Sequence, residues 1–176
     1  MRMLAFACGV LFCSTALAQS PYAGMQARPI KALSEQQIAD LKAGRGMGLA
    51  LPAELNGYPG PSHLLELADK LDLSAAQRDR IRQLFDSMKA EAVPIGTKLI
   101  EQESLLDQQF ASRSITPDRL IAATAEIGAT QAALRNAHLK YHLETVELLS
   151  GEQMRQYAVL RGYAGNAPMM LHRHVH

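Results

Sequence analysis

Apolar residues recur every three or four positions between Ser74 and Phe110, a spacing that is typical of an amphipathic helix. They are Ile81, Leu84, Phe85, Met88, Ala92, Ile95, Leu99, Leu106 and Phe110. Pro94 and Gly96 lie inside this stretch. Because proline removes a helical hydrogen bond, we expect the helix to kink or open locally at that point.

A second stretch, which begins with Thr116 as N-cap and Pro117 at N1, carries an apolar residue at every seventh position. These are Leu120, Ile127, Leu134, Tyr141 and Leu148, whereas the companion heptad positions are the polar Thr124, Gln131, His138 and Thr145. Such a seam alone makes a weak coiled coil. We therefore predict packing through a wider face that includes Ile121, Leu139, Leu143 and Val146.

A repeated five-residue phrase marks the helix starts, in which an apolar residue is followed by Ser and then by Gln three positions later. Its copies are Leu33–Gln37, Leu73–Gln77 and Leu149–Gln153, and a looser copy is Ile115–Arg119. The pattern is that of a capping box preceded by a staple residue. We therefore assign a structural role in fixing helix starts to Leu73, Ser74, Gln77, Leu149, Ser150 and Gln153.

Shorter helices are predicted from Ser34 to about Ala43, from Pro61 to about Leu71 and from Gly151 to about Arg161. The glycine run at residues 44–48 invites a nucleotide-loop interpretation, but no strand precedes it, so a tightly turned connector is favoured. No alternation of the strand type competes with the helical pattern. The sequence predicts an all-α fold, a long bent antiparallel helical hairpin with shorter helices packed over it.

The first 18 residues have the features of a cleavable secretory signal peptide. Arg2 precedes the apolar run Leu4 to Phe12, which is about half the length of a membrane span, and an A-x-A cleavage site follows at residues 16–18. The mature chain is therefore expected to be exported, with no membrane span. We divide it into an extended arm (19–33), a helical domain (34–162) and a flexible Met- and His-rich tail (163–176).

Composition removes several classes of function from the mature chain. Cys8 and Cys13 both lie in the signal, so disulfides, thiol catalysis and Cys-ligated zinc are excluded after cleavage. Loss of Arg2 lowers the basic count from 18 to 17, against 17 acidic residues. No strong basic field remains to hold nucleic acid or an anionic membrane. No catalytic triad or carboxylate motif is recognisable, so we do not expect an enzyme.

The repeated phrases, the expected export and the absence of Cys together resemble the LTxxQ-motif proteins of the Spy/CpxP type, over roughly residues 34–162. This chain has Ser where those proteins carry Thr. The resemblance implies a periplasmic, ATP-independent stress chaperone, often a homodimer, that holds unfolded or misfolded envelope proteins on a concave helical surface and needs no cofactor. The same group includes periplasmic heavy-metal sensors, which are the alternative function.

Two sets of residues are candidates for these functions. A client surface is expected to use Met88, Ile95, Leu99, Leu106 and Phe110, although apolar residues at helical spacing are more often core. His138 and His142 lie one turn apart and suit one metal ion, and His63 with Glu66 would complete a site if the fold brings them near. The alternative is that both are half-exposed polar residues beside the core seam.

The C-terminal segment carries a second metal signal, in which His172, His174 and His176 alternate with other residues after Met169 and Met170. Imidazole and thioether groups suit copper, nickel or zinc. The alternative is a polar terminus that binds metal only adventitiously.

Overall fold

A computed structural model describes residues 21–164, and every regular element in this range is a helix. A short 3-10 turn, Met25–Ala27, precedes α1 Glu35–Lys42, α2 Leu51–Glu54, α3 Pro61–Glu66, α4 Ala75–Ala111, α5 Pro117–Val146 and α6 Gly151–Leu160. The long helices α4 and α5 pack against each other as a hairpin. The all-α prediction is confirmed. No helix of the described range is long and apolar enough to cross a membrane.

The hairpin core uses a narrower stripe of α5 than the sequence predicts. Ile127, Leu134 and Tyr141 are buried at the heptad positions. Ile121 and Leu143 are exposed, at 68% and 59%, so the predicted wider face is wrong at both. Of the four polar companions, His138 and Thr145 are buried, because α2 and α3 pack against that end of α5, whereas Thr124 and Gln131 are exposed.

Helix α4 runs unbroken past Pro94, so the predicted local opening is wrong. The glycine two residues later has a different role. A Cβ added at Gly96 would lie 2.6 Å from the carbonyl oxygen of Leu41, the buried residue in the last turn of α1. Gly96 therefore lets two backbones approach, which any larger residue would prevent.

The last residues of the N-terminal arm contribute to the core of the hairpin. Ile30 and Leu33 are buried in one cluster with Leu41 and Leu99, and the Lys31 ammonium lies 3.2 Å from the Asp107 carboxylate. Residues 25–27 form a 3-10 turn, and Ile30 and Leu33 are buried, so the prediction of an extended arm is wrong for this part of the chain.

The base of the hairpin is closed by α3, the turn after it and α6. Helix α3 ends at Glu66, not near Leu71 as predicted, but Leu71 is still buried in a cluster with Leu64 and Tyr157. Helix α2 was not predicted. Tyr163 also packs against this cluster, so the tail does not leave the domain at that residue. The predicted signal peptide (1–18) and the tail histidines lie outside the described residues.

Candidate functional site

All three strict phrases form complete capping boxes at the starts of α1, α4 and α6. In each, the Ser hydroxyl accepts from the backbone N–H of the Gln, and the Gln side-chain oxygen accepts from the Ser N–H. The predicted structural role of Ser74, Gln77, Ser150 and Gln153 is confirmed. The looser copy also caps its helix, through the Thr116 hydroxyl.

The second and third phrases are also bonded to each other. The Nε2 group of Gln77 donates to the Oε1 atom of Gln153 at 2.9 Å and to the Leu148 carbonyl at 2.7 Å. In return, the Nε2 group of Gln153 donates to the Oε1 atom of Gln77 at 3.2 Å and to the Leu71 carbonyl at 3.3 Å. This reciprocal pair ties the start of α4 to the start of α6. A Glu carboxylate at the last position of the phrase could also form the capping box, but it has no N–H to donate to the other phrase. This explains why residues 77 and 153 are Gln.

Glu54 is a buried carboxylate at the end of α2, and it binds groups from several elements. Its Oε1 atom accepts from the Tyr157 hydroxyl and lies 3.3 Å from the Nδ1 atom of His63 and 3.5 Å from the Nε atom of Arg161. Its Oε2 atom accepts from the backbone N–H of Gly60 at 3.2 Å. Glu54 therefore fastens the connector between α1 and α3 to α6.

The surroundings of Glu54 favour its ionised form. Burial alone would raise the carboxyl pKa, but hydrogen bonds from His63 and Tyr157, the charge of His63 and the Gly60 N–H outweigh it and lower the pKa to about 2. Burial and the hydrogen bond to Glu54 raise the pKa of Tyr157, which stays a protonated donor. The carboxylate is thus an anchor whose charge is balanced locally.

A cavity of about 600 Å³ lies between the connector, α3 and the hairpin. Its wall includes the glycine run of residues 44–48, the apolar side chains of Phe85 and Met88, and the imidazoles of His138 and His142. His63, Glu54 and Glu66 also border it. The fold therefore brings the sequence-predicted histidines of α5 and the His63 and Glu66 pair to one cavity.

His138 and His142 are buried, with exposed fractions of 2% and 6%, so the expectation of half-exposed residues is wrong. The Nδ1 atom of His142 lies 2.6 Å from the Tyr58 carbonyl, which can only accept, so Nδ1 carries the proton. Burial, and secondly the proximity of His142, lowers the pKa of His138 and keeps its ring neutral at pH 7. Its Nε2 atom is buried without a hydrogen-bond partner.

The described residues do not form a metal site as they stand. Within residues 21–164, no three His, Cys, Asp or Glu side chains are placed so that they could hold one ion. His63 contacts Glu54 and does not complete a set with the α5 histidines. Binding of copper, nickel or zinc stays a prediction, and its other candidates, His172, His174 and His176, lie outside the described range.

The predicted client residues are divided between the core and the surface. Met88 and Leu99 are buried, so their assignment to a client surface is wrong. Ile95 and Leu106 are half-buried and pack against the core. Phe110 is exposed at 54%.

Phe110 belongs to a set of apolar side chains at the end of the hairpin, which we call the hairpin-end surface. It comprises Leu105, Phe110, Leu120 and Ile121, with exposed fractions of 57%, 54%, 37% and 68%. All lie within the last two turns of α4 or the first turn and a half of α5, which are adjacent because the helices are joined by a short loop. Large apolar side chains that are left exposed at one end of a fold are candidates for an interaction site.

Sequence reasoning missed two features of the site. Glu54 has no local pattern that marks it, because its partners are 6 to 109 residues away in the chain. The pairing of Gln77 with Gln153 did have a signal. All three strict phrases carry Gln, where Glu would cap as well.

Comparison of the chain with protein-family models, with curated proteins and with solved structures finds no match.

Proposed function

We propose that this protein is an exported, periplasmic chaperone that binds non-native envelope proteins without ATP, through the hairpin-end surface. One observation carries the proposal: four large apolar side chains remain exposed where α4 ends and α5 begins. The signal-like leader and the capping phrases that resemble Spy/CpxP-type proteins support it.

The chemistry of this surface suits reversible binding of exposed apolar segments. Each half-exposed side chain offers on the order of 1 kcal/mol when a client covers it, so contacts with these four residues make binding weak and reversible. Charged residues such as Arg113, Asp118 and Arg119 are exposed beside it. Binding of this strength releases the client spontaneously, so no nucleotide cycle is required.

Aggregation assays with two matched variants test the proposal. The first variant replaces Phe110 and Ile121, exposed at 54% and 68%, by Ser, and the control replaces Leu143 and Val159, exposed at 59% and 64%, by Ser. We expect the wild type and the control to suppress light scattering by reduced α-lactalbumin, and the first variant to lose most of this activity. Absence of suppression by the wild type at several-fold molar excess, or equal losses in both variants, would refute the proposal.

A further inference from the structure

The cavity beside α5 presents both a hydrogen-bond acceptor and a donor, from two histidines one turn apart. Because Nδ1 of His142 donates to the Tyr58 carbonyl, its Nε2 atom carries a lone pair. Gly60 lies against this edge of the ring, where an added Cβ would be 2.8 Å from Nε2, and both residues line the cavity. Fixing of one imidazole nitrogen by a backbone carbonyl orients the other as an acceptor.

His138 supplies the complementary donor. Its Nε2 atom is enclosed without a partner, and an unpaired buried acceptor is less costly than an unpaired N–H group. The proton of the neutral ring therefore belongs on Nδ1. That atom faces Gly46 on the cavity wall, 3.6 Å from where a Cβ would stand.

Other side chains of the cavity wall are apolar and favour a ligand with an apolar ring. Phe85, Met88, Met47 and Leu51 border the cavity, and methionine sulfur packs well on the edges of aromatic rings. The volume of about 600 Å³ suits a small organic molecule and greatly exceeds what one ion needs.

We propose that this cavity binds a small hydroxylated aromatic molecule, whose hydroxyl donates to Nε2 of His142 and accepts from Nδ1 of His138. A hydroxyl group can donate to one histidine and accept from the other, and the ring packs against the apolar wall. The site lies about 25 Å along α4 from the hairpin-end surface, as Met88 and Leu105 are 17 positions apart. It is therefore independent of the client-binding proposal.

Calorimetry at pH 8 with two probes of equal shape tests this site. The probes are 4-ethylphenol and 4-ethyltoluene, in which a methyl group replaces the hydroxyl, and a chelator is present throughout. We expect saturable binding of the phenol, with an affinity about fivefold or more higher than that of the hydrocarbon. One or two net hydrogen bonds account for a difference of this size. Equal or weaker binding of the phenol, or no saturable binding up to millimolar concentration, would overturn the proposal.

Variants locate the binding. Gly46→Leu places a side chain in the cavity and should abolish binding of both probes, whereas Gly128→Leu, which meets open space, should leave it unchanged. His142→Asn keeps a donor for the Tyr58 carbonyl, but its shorter side chain has no acceptor atom at the position of Nε2, so the preference for the phenol should disappear. Phenol binding that survives both Gly46→Leu and His142→Asn would place the site elsewhere. If Gly46→Leu does not fold, the proton resonances of His138 and His142 decide, since the proposal requires both to shift with the phenol.

Discussion

The reciprocal pair of Gln77 and Gln153 yields the sharpest test of how the repeated phrase works. Replacing Gln77 by Glu keeps an oxygen for the Ser74 cap but removes both side-chain N–H donations. The Leu148 carbonyl loses its donor, and the new carboxylate faces the Oε1 atom of Gln153, 2.9 Å from the present Nε2 position. The variant thus separates capping from pairing.

The size of the effect follows from the bonds lost. Two net hydrogen bonds are worth about 2 kcal/mol, and repulsion between the facing oxygens adds to this. A negative charge at a helix N-terminus restores about 0.5 kcal/mol. We expect a loss of about 2 kcal/mol in the free energy of unfolding, which corresponds to a fall of roughly 6 °C in melting temperature for a domain of this size.

Gln37→Glu is the matched control. Gln37 forms the same capping box at the start of α1, and among residues 21–164 its side chain makes no amide pair with another helix. Its replacement by Glu should change stability by less than 0.5 kcal/mol, because Glu also completes a capping box. Denaturant unfolding followed by circular dichroism measures the free energy of unfolding of both variants. Equal effects of the two substitutions would show that the phrases act only as caps.

Three further predictions concern packing and charge. Gly96→Ala should destabilise the protein by more than about 2 kcal/mol, because the new methyl group meets the Leu41 carbonyl, whereas Gly128→Ala, in open space on α5, should stabilise it by about 0.5–1 kcal/mol. Denaturant titration compares the two variants, and a stabilising Gly96→Ala would contradict the close approach of the backbones. Glu54→Gln should lower the free energy of unfolding by about 3 kcal/mol at pH 7, as expected from a carboxyl pKa of about 2 in the folded state and 4.5 in the unfolded state. The loss should vanish near pH 2, and a cost that persists there would mean that charge is not its cause. Because the pKa of His138 is lowered in the folded state, the unfolded state binds more protons, and stability should fall as pH drops below about 6.5. In melting temperatures measured over a pH series, His138→Gln should flatten this decrease, and an unchanged slope would exclude His138 as its source.

The sequence predicted those features of the fold that local chemistry specifies. The capping boxes at Ser34, Ser74 and Ser150 and the starts of the long helices depend on contacts within four residues, which a repeated phrase reveals directly. The apolar spacing of α4 likewise predicted its extent to within about one residue.

The errors arose where distant chain segments meet. Pro94 predicted an opening, but α1 and α5 pack against α4, and the helix continues past it. Met88 and Leu99 have the spacing of an exposed stripe as much as of a core, and only the covering elements decide which it is. Glu54 acquires its role from partners on α3 and α6, so nothing in its immediate neighbours could have indicated it.

The central claim is that non-native proteins bind at the hairpin end, and site-directed photo-cross-linking tests it most directly. Residues 19–176 contain no Cys, so a single Ile121→Cys or Leu143→Cys substitution accepts a benzophenone maleimide at one position only. Both native side chains are exposed to a similar degree, at 68% and 59%. We predict efficient cross-linking of reduced α-lactalbumin from position 121, little from position 143, and none of the native client from either. Equal yields from the two positions, or none from position 121, would contradict the account.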